Sequence, residues 1–355
     1  MNATWSSTVQ ADRRSMAQAL GSTVAAQLAG ATVLVTGAQG MLPSYMLHAI
    51  AGLNAGPLMD APCTVLALAR RSPEGRWAQM PHVRWLAQDV CVPLPEDVHF
   101  DWAIHAASKA APLAYLADPV GTLMANGLGL HHVLERAQHC GARGVLFVSS
   151  GELYGSPPPE ACPTPEWYLG ATDPRHPRGC YVEGKRFGEA LAVAYGRQYG
   201  LSVKVVRPFQ VFGPGLALHD GRAFADFLGA SSRGEPIKLR SAGRALRTYC
   251  YIADATVAFL RILVEGRSGE VYNVGSSAPE VTIRELAELV AELGQRGSRV
   301  VVATETSDEG QGSPARTCPD VERLHTELGW RPTTTLEDGL RRTLAWLHEE
   351  RKAHD

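Results

Sequence analysis

The stretch Val33-Leu-Val-Thr-Gly37-Ala-Gln-Gly40-Met41-Leu42-Pro43 decides the fold expected of this 355-residue chain. It joins an apolar run of strand length to an amphipathic run of helix length through two glycines. Glycine at 37 allows a tight turn, and glycine at 40 lets the backbone approach a pyrophosphate at the helix N-terminus. Pro43 occupies the third small position of this fingerprint and is tolerated in a first helical turn. The stretch predicts a dinucleotide site contacted by Gly37, Gly40, Met41 and Leu42.

Apolar runs of strand length alternate with helical runs as far as residue 207. Strands are expected at 31–36, 64–69, 82–86, 102–107, 144–149 and 202–207, and helices at 41–53, 123–139 and 181–199. Continuous apolar strands separated by helices indicate a parallel sheet covered on both faces. Because such crossovers are right-handed, the pattern predicts an α/β fold with a Rossmann-type doubly wound parallel sheet.

The pattern divides the chain into three parts. Residues 1–30 are expected to be an N-terminal helical extension, and 31–207 the dinucleotide-binding Rossmann domain. Residues 208–355 are interpreted mainly as a smaller C-terminal α/β substrate-binding lobe, with 246–275 returning to the Rossmann core. Within this lobe, helices are expected at 223–232, 283–293 and 336–350, a strand at 237–240, and a mobile loop at 307–314.

Composition excludes several classes of protein. The chain is 45% hydrophobic and 20% charged with a net charge of −2, which is typical of a globular protein without bulk attraction to nucleic acid or anionic membranes. No run approaches ~18 uninterrupted apolar residues, so no membrane-spanning helix is expected. Seven scattered cysteines without metal-type Cys/His spacing predict no metal site and reduced thiols in a cytoplasmic protein. Charged residues at 12–14 argue against a signal peptide, and a transit peptide is a minor alternative.

The end of the second expected strand bears on the choice of cofactor. An acidic residue there would hold the ribose 2′-hydroxyl of NAD, but this chain has Leu68-Ala69-Arg70-Arg71. Arginine suits a 2′-phosphate, so the cofactor is expected to be NAD(P), with NADP narrowly preferred over NAD. The alternative is that Arg70 stacks on the adenine of either cofactor. Asp89, followed by Val90, is placed to accept the adenine amino proton.

Tyr181 and Lys185 are spaced to lie on one face of a helix. A free phenol has a pKa near ~10, and a neighbouring ammonium would lower that pKa enough for the phenolate to act as a base. Ser150 and Glu152 follow a buried strand upstream, and Ser150 would share the same substrate proton. The spacing of Tyr181 and Lys185 is common by chance, and Glu152 has the alternative of a helix cap or exposed carboxylate.

These motifs together resemble the extended short-chain dehydrogenase/reductases, in particular the nucleotide-sugar epimerase/dehydratase family, over roughly residues 30–350. The stretches that carry this resemblance are 36–40, 105–108, Asn126, 150–155, 181–185, 207–214 and 272–275. Within the family the chain is most similar to UDP-glucuronate decarboxylases. That likeness rests on 107–112, 183–186, 220–222, 234–236, 329–332 and Arg247 followed closely by Tyr249.

The resemblance implies an enzyme that transiently oxidises C4 of a nucleotide sugar with bound NAD(P)+, most nearly a UDP-glucuronate decarboxylase. It implies that Ala106, Ala107 and Asn126 contact the cofactor beside Tyr181 and Lys185. It also implies a homodimer packed as a four-helix bundle through 123–139 and 181–199. The alternatives are a C4 or C5 epimerase, an NADPH-dependent ketoreductase and, remotely, a non-catalytic NADP-binding regulatory module.

Several positions depart from the family pattern. Gly151 stands where the decarboxylases carry a hydroxylated residue and 4,6-dehydratases an acid, which argues against dehydration. Gln210 replaces an asparagine, and Lys109 enters a loop of small residues where it either holds a substrate carboxylate or is exposed. Arg247 is expected to bind the diphosphate or the carboxylate, since both suit a guanidinium. The expected substrate-binding residues are therefore Lys109, Gln210, Arg247 and, more weakly, Arg222.

Overall fold

The computed structural model describes residues 5–218, 220–294, 298–302 and 314–354. The loop predicted at 307–314 lies outside these residues except for Pro314. The strands, in chain order, are β1 Thr32–Thr36, β2 Thr64–Ala69, β3 Val83–Ala87, β4 Trp102–His105, β5 Gly144–Val148, β6 Val203–Pro208, β7 Val211–Phe212, β8 Ile237–Leu239, β9 Leu246–Arg247, β10 Cys250–Tyr251, β11 Val271–Val274, β12 Val281–Thr282, β13 Val300–Val302 and β14 Arg316–Thr317.

The helices flank these strands on both sides. They are α1 Ser7–Leu28, α2 Met41–Asn54, α3 Pro112–Ala117, α4 Pro119–Met124, α5 Leu130–His139, α6 Gly179–Tyr199, α7 Ala223–Arg233, α8 Ile252–Glu265, α9 Ile283–Leu293, α10 Glu322–Leu328 and α11 Leu336–His354. A π-helical segment, Ala125–Gly129, joins α4 to α5. No helix among the described residues is long and apolar enough to cross a membrane.

A seven-stranded sheet forms the centre of the molecule. Its strand order is β3-β2-β1-β4-β5-β6-β11, and every neighbouring pair is parallel. The chain starts in the middle at β1, moves outward to β3 and then returns to the other side at β4. This reversal opens a crevice at the carboxyl ends of β1 and β4, where ligands bind in doubly wound sheets. The predicted Rossmann-type α/β fold is confirmed.

The part of the chain after β6 builds smaller sheets beside this crevice. β12, β9 and β14 form one sheet, while β8 pairs with β13 and β7 pairs with β10. α9 occupies the range predicted for a helix and begins with a reciprocal capping box formed by Thr282 and Glu285. The chain returns to the large sheet through α8 and β11.

Several elements differ from the sequence expectations. The helix expected at 123–139 is preceded by α4, so helical structure begins at Pro119, and residues early in the expected helix are π-helical rather than α-helical. α3, α8 and α10 had no counterpart among the predicted helices. Ten of the fourteen residues of α8 are buried, and Asp254, Arg261 and Glu265 form a narrow polar face on it, an amphipathic pattern that the sequence prediction missed.

The N-terminal segment forms α1, a 22-residue helix interrupted at Gly21, whose φ of 69° is outside the helical range. α1 packs against α2, α8 and α11. Its Asp12 is fully buried and accepts hydrogen bonds of 2.7 Å from each of the phenols of Tyr45 and Tyr251. Arg342 of α11 pairs with the same carboxylate at 3.1 Å. One side chain therefore ties α1 to three other parts of the molecule.

Candidate active site

The glycine turn after β1 packs against the turn after β4. Gly37 has φ +69°, and a Cβ there would lie 2.8 Å from Cα of Ala107, so only glycine fits. Gly40 is the N-cap of α2, and Pro43 is buried within its first turn. The first N–H groups of a helix lack intrahelical acceptors, so Met41 and Leu42 present donors beside this turn. The close approach and the free donors fit the pyrophosphate of a dinucleotide.

The loop after β4 is fixed by a single hydroxyl on β1. The N–H groups of Ala106 and Ala107 both donate to Oγ1 of Thr36, at 3.1 and 3.2 Å. The ring of His105 lies between that hydroxyl, at 3.2 Å, and the carbonyl oxygen of Ala125, at 3.0 Å. These contacts connect the cofactor turn to the π-helical segment, which holds Asn126. Thr36 and His105 were marks of resemblance in the sequence, and the structure shows what they position.

Asn126 is fully buried at the bottom of this region. Its Nδ2 donates to Oγ of Ser108 at 2.9 Å and to the carbonyl oxygen of Thr122 at 2.8 Å. Its Oδ1 has no hydrogen-bond partner among the described residues. An unsatisfied buried amide oxygen is uncommon, so this atom is available to a bound hydroxyl or amide.

The residues expected around the adenosine lie at the rim of the crevice. Arg70 is exposed directly after β2, and its charge reaches Asp118, where it helps to lower the pKa of that carboxyl after the larger contributions of Lys109 and Gly121. Asp89 is also exposed, and its Oδ1 accepts the N–H of Cys91 at 2.9 Å. One carboxylate oxygen of Asp89 is therefore already engaged. Val90 is buried beneath it.

The four predicted catalytic residues meet in one cleft. Ser150 caps the short turn after β5, where its hydroxyl accepts the N–H of Glu152 at 3.1 Å, and it lies close enough to Tyr181 to lower the pKa of that phenol. Lys185 is one turn further along α6 and donates to the carbonyl oxygen of Val148 at 2.7 Å. Because β5 and α6 fix these groups, the site is preorganised by the scaffold.

The ionisation of Tyr181 and Lys185 is governed by burial. Burial lowers the pKa of the Lys185 ammonium to about 7, with Glu189 acting in the opposite direction. Burial, and then the charge of Glu152, raises the pKa of Tyr181, although Ser150 and Arg222 lower it. The lowering of the Tyr181 pKa by the Lys185 ammonium remains a prediction, and the raising effect of burial opposes it. The Lys185 nitrogen lies over the phenol ring, 5.7 Å from its centroid, and burial outweighs the lowering contributions.

Glu152 is exposed to solvent on the short turn after β5, which agrees with the exposed-carboxylate alternative. Surrounding protein raises the pKa of its carboxyl, while the charges of Arg178 and Arg222 lower it. Since the cleft is open to water, solvent screening reduces all three effects. Arg178 is the residue before α6 and had no predicted role. Its charge acts on Glu152 only in the folded chain, because the two residues are 26 positions apart in the sequence.

Tyr115 of α3 is a further side chain that the sequence motifs did not identify. It is fully buried, and its ring stacks on that of Tyr181 with centroids 5.2 Å apart and an interplanar angle of 13°. Its hydroxyl has no hydrogen-bond partner among the described residues. Burial and then the charge of Glu152 raise its pKa to about 12. Tyr115 therefore supports one face of the Tyr181 ring and remains protonated at neutral pH.

The ring of Phe209 packs directly against Gly151. A Cβ on Gly151 would lie 2.8 Å from the Phe209 ring. Phe209 is itself buried and packs beside Tyr154. The ring thus occupies the space into which a side chain at 151 would extend, which explains how the chain accommodates this departure.

The predicted substrate-binding residues are in four different settings. Arg222 forms an ion pair with Asp220, and its charge also reaches Glu152 and Tyr181. Gln210 has a buried Oε1 without a partner in the described part of the chain. Arg247 instead donates to the carbonyl oxygens of Leu246 and Pro314, both at 2.7 Å. Lys109 forms an ion pair with Asp118, and its predicted contact with a substrate carboxylate remains a prediction.

A buried ionic network supports the cleft from below. Arg207 on β6 contacts both carboxylate oxygens of Glu189, at 2.9 and 2.6 Å, and donates to the phenol oxygen of Tyr154 at 2.7 Å. That phenol donates to Oδ1 of Asn273 on β11 at 2.8 Å. Bidentate Arg–carboxylate pairing fixes orientation. These motif residues serve as scaffold for α6 and its catalytic face.

A known protein family matches the part of the chain that contains most of the cleft. The family described as NAD dependent epimerase/dehydratase matches residues 33–275. The chain belongs to this family. Membership was predicted from the separated motifs and is confirmed, together with NAD(P) binding and the enzyme class.

Curated relatives and solved structures agree with this placement. UDP-glucuronic acid decarboxylase 3 of Arabidopsis thaliana is 34% identical over 265 residues, covering 75% of this chain and 74% of the relative. UDP-glucuronic acid decarboxylase 1 of Xenopus tropicalis is 31% identical over 318 residues, covering 90% and 72%.

Among solved structures, a dTDP-glucose 4,6-dehydratase from Streptomyces venezuelae with NAD and TYD bound has a TM-score of 0.73 and 26% identity, covering 91% of this chain and 98% of that one. UDP-glucose 4-epimerase of Thermotoga maritima, with a TM-score of 0.76 and 23% identity over 91% and 100%, shares the fold.

Proposed function

We propose that this chain is an NAD(P)-dependent enzyme that decarboxylates a nucleotide-linked hexuronic acid, with UDP-glucuronate as the first candidate. The observation that carries the proposal is the meeting of Ser150, Tyr181 and Lys185 with Glu152 in one cleft, faced by the positive charge of Arg222. The curated relatives that match 75–90% of the chain are UDP-glucuronic acid decarboxylases. The ribose and phosphates would lie along the glycine turn, and the sugar beside Tyr181.

The bound dinucleotide would accept a hydride from C4 of the sugar and return it later. Tyr181 acts as its phenolate, takes the proton of the C4 hydroxyl and becomes the neutral phenol, while Ser150 holds that hydroxyl in line by sharing its hydrogen bond. Lys185 provides a positive charge next to the phenol of Tyr181. Its ammonium donates a hydrogen bond to the carbonyl oxygen of Val148, which fixes its position over the phenol ring. The resulting ketone is β to the C6 carboxylate, so loss of carbon dioxide leaves an enolate that the ketone stabilises.

Glu152 acts after the oxidation, near C5. Its carboxyl can deliver a proton to the enolate carbon as a general acid, and the charges of Arg178 and Arg222 act on it from the same side. A guanidinium on this side of the cleft also suits the substrate carboxylate. Arg222 is the better placed of the predicted arginines, since Arg247 donates to main-chain carbonyls.

The finer parts of the proposal concern cofactor, assembly and location. Arg70 favours NADP over NAD because its exposed guanidinium follows β2 directly. Residues 31–207 would bind the cofactor and 208–355 mainly the substrate. A homodimer is supported by exposed apolar side chains along α3, α4 and α6, namely Leu116, Val120, Leu123 and Phe187. Seven free cysteines favour a reducing, cytoplasmic setting.

An epimerase on a nucleotide sugar is the second candidate, and Gly151 favours it. A decarboxylase-type hydroxyl is missing at this position, and Phe209 fills the adjoining space. Inversion at C4 or C5 needs oxidation and a proton transfer but no group that assists loss of a carboxylate.

Purified protein incubated separately with UDP-glucuronate, UDP-glucose and UDP-galactose distinguishes these activities. Decarboxylation gives a nucleotide pentose that is lighter by one carbon dioxide in mass spectra, with no net use of added NADPH. An isomer of unchanged mass would identify an epimerase. Stoichiometric consumption of NADPH would identify a ketoreductase, and no conversion of any sugar would contradict the proposal.

A further inference from the structure

A second group of titratable side chains lies on α5, outside the cleft. His131, His132 and Glu135 each present one ligand-type atom, and these atoms all lie within 4.8 Å of one another. The two imidazole rings have centroids 5.5 Å apart. None of these residues has a role in the proposed reaction.

The helix itself brings the three side chains together. At 3.6 residues per turn, His131 and Glu135 are one turn apart on the same face, and His132 is about 100° further round the helix. His131 and Glu135 are partly exposed, so an ion can reach them from solvent. All three come from one chain, and the cluster therefore does not depend on self-association.

His132 supplies an independent observation. Its side chain is buried, with 9% exposed, and its Nδ1 has no hydrogen-bond partner among the described residues. Buried polar atoms are normally hydrogen-bonded, and the exceptions call for a partner such as an ion. Coordination of a cation is one way for a buried imidazole nitrogen to obtain that partner.

A neighbouring helix orients the other imidazole. Nδ1 of His131 lies 2.8 Å from the phenol oxygen of Tyr195 on α6. When Nδ1 donates its proton to this oxygen, Nε2 keeps a free lone pair, which is how ligand histidines are usually held by an outer partner. Glu135 lies close to the same phenol, since its charge, after burial, helps to raise the pKa of Tyr195.

We propose that His131, His132 and Glu135 form a binding site for a divalent transition-metal ion, with Zn²⁺ as the first candidate. Two imidazoles and one carboxylate are ligands that suit Zn²⁺ and Co²⁺, and a water would complete a tetrahedral set. Metal–ligand distances near 2.0–2.2 Å require the ligand atoms to approach to about 3.3 Å, which small side-chain rotations supply. The proposed site differs from the sequence expectation of no metal, which rested on Cys/His spacing.

The test uses untagged, metal-depleted protein and Zn²⁺ alone. Equilibrium dialysis at micromolar Zn²⁺, with elemental analysis, should give one strongly bound ion per chain. Glu135→Gln keeps the shape of the side chain but removes its charge, and His131→Asn removes the exposed imidazole. Each should weaken binding at least tenfold. His139→Gln is the matched control, because His139 is exposed on the same helix outside the cluster.

A second measurement distinguishes specific metal coordination at this cluster from nonspecific binding of ions to the protein surface. Co²⁺ added to the metal-depleted protein should produce visible absorption bands of tetrahedral intensity, and these bands should be lost in Glu135→Gln but kept in His139→Gln. Circular dichroism of the metal-free variants should match that of the metal-free parent chain, which excludes misfolding as the cause. Equal Zn²⁺ binding by all variants, or none by the parent chain, would overturn the proposal.

Discussion

Tyr181 and Glu152 are near neighbours in one cleft but are assigned to successive chemical steps. Tyr181 is 5% exposed, and its ring stacks on that of Tyr115. The carboxyl of Glu152 is exposed to solvent and lies within reach of the charges of Arg178 and Arg222. If the two side chains have separate roles, replacing each should stop the reaction at a different step.

Tyr181→Phe removes the hydroxyl that takes the C4 proton, so the first hydride transfer should fall by roughly 10²–10⁴. Glu152→Gln keeps shape and hydrogen bonding but removes basicity. In a single turnover it should still produce the near-ultraviolet absorbance of reduced nicotinamide, while net turnover falls and a 4-keto sugar accumulates. A Glu152→Gln protein that gives as little reduced cofactor as Tyr181→Phe would place Glu152 in binding or oxidation instead.

Lys185 is 2% exposed, and burial lowers its pKa to about 7, whereas an unfolded lysine titrates near ~10.4. Between these values the unfolded chain binds more protons, so this group makes the protein more stable as pH rises. Lys185→Met should therefore be more stable than the parent chain near pH 7, by on the order of a few kcal/mol, and this advantage should shrink towards pH 10.

Urea unfolding at several pH values measures this difference. Lys204 is the matched control, because it is also buried, its pKa is lowered to about 8, and it lies outside the cleft. The difference in free energy of unfolding between Lys204→Met and the parent chain should also shrink as pH rises, and this variant should keep its activity. A stability difference for Lys185→Met that does not change with pH would contradict the lowered pKa.

Arg70 is the residue on which the cofactor preference depends. Arg70→Ala should weaken NADP binding by about 1–3 kcal/mol, the range for a hydrogen bond to a charged group, with a much smaller effect on NAD. Fluorescence titration of both dinucleotides gives the two dissociation constants. Arg71→Ala is a useful comparison at the neighbouring position. Equal losses for NADP and NAD would mean that Arg70 contacts the adenine or nothing specific.

At the scale of elements, α1 is attached to the rest of the molecule through a buried carboxylate as well as apolar packing. Met16, Leu20 and Val24 are fully or almost fully buried against the core. Asp12 accepts two phenols and pairs with Arg342, although burial still raises its pKa. α1 is therefore part of the folded core rather than an appendage.

Asp12→Ala should lower the free energy of unfolding by about 3 kcal/mol or more, because it leaves two buried hydroxyls without an acceptor and breaks a buried pair. Asp12→Asn keeps one acceptor oxygen and should lower it less. Arg14→Ala on the exposed side of the same helix should stay within about 0.5 kcal/mol of the parent chain. Denaturant unfolding followed by circular dichroism measures all three. Equal stabilities for Asp12→Ala and Arg14→Ala would rule out this role.

At the scale of the whole molecule, an apolar surface runs across α3, α4 and α6. A groove of about 510 Å³ lies within it, lined by residues that include Leu116, Leu123, Pro177 and Cys180. Phe187 of α6 stands beside this groove with 57% of its surface exposed. Contiguous exposed apolar side chains of this kind mark interaction surfaces.

Phe187→Glu should convert the proposed dimer to a monomer, since a charge buried in an apolar interface is strongly unfavourable. Light scattering at micromolar concentration, before and after the substitution, gives the mass. Met59→Glu is the control, because Met59 is 72% exposed on a turn far along the chain from these helices. A parent chain that is already monomeric, or a Phe187→Glu protein that remains dimeric, would exclude this face.

The sequence predicted the sheet well because its strands are short continuous apolar runs with one interpretation. It also located the glycine turn and the pair Tyr181 and Lys185, since both depend on local spacing along one turn or one helix. It missed α8, whose polar face is narrow, and the π-helical turn at 125–129. The local pattern of residues 125–129 cannot report a π-helical turn, because tertiary packing decides it.

The sequence by itself determined the doubly wound fold and the family, and it supplied the side chains that we propose as catalytic. Only the tertiary structure decided how those side chains behave. Burial sets the pKa of Lys185 and Tyr181, and burial depends on every element packed around the cleft. Tyr115 and Arg178 approach Glu152 from other segments, and Phe209 fills the space beside Gly151. Contacts between distant segments and the desolvation they cause exist only once the chain has folded.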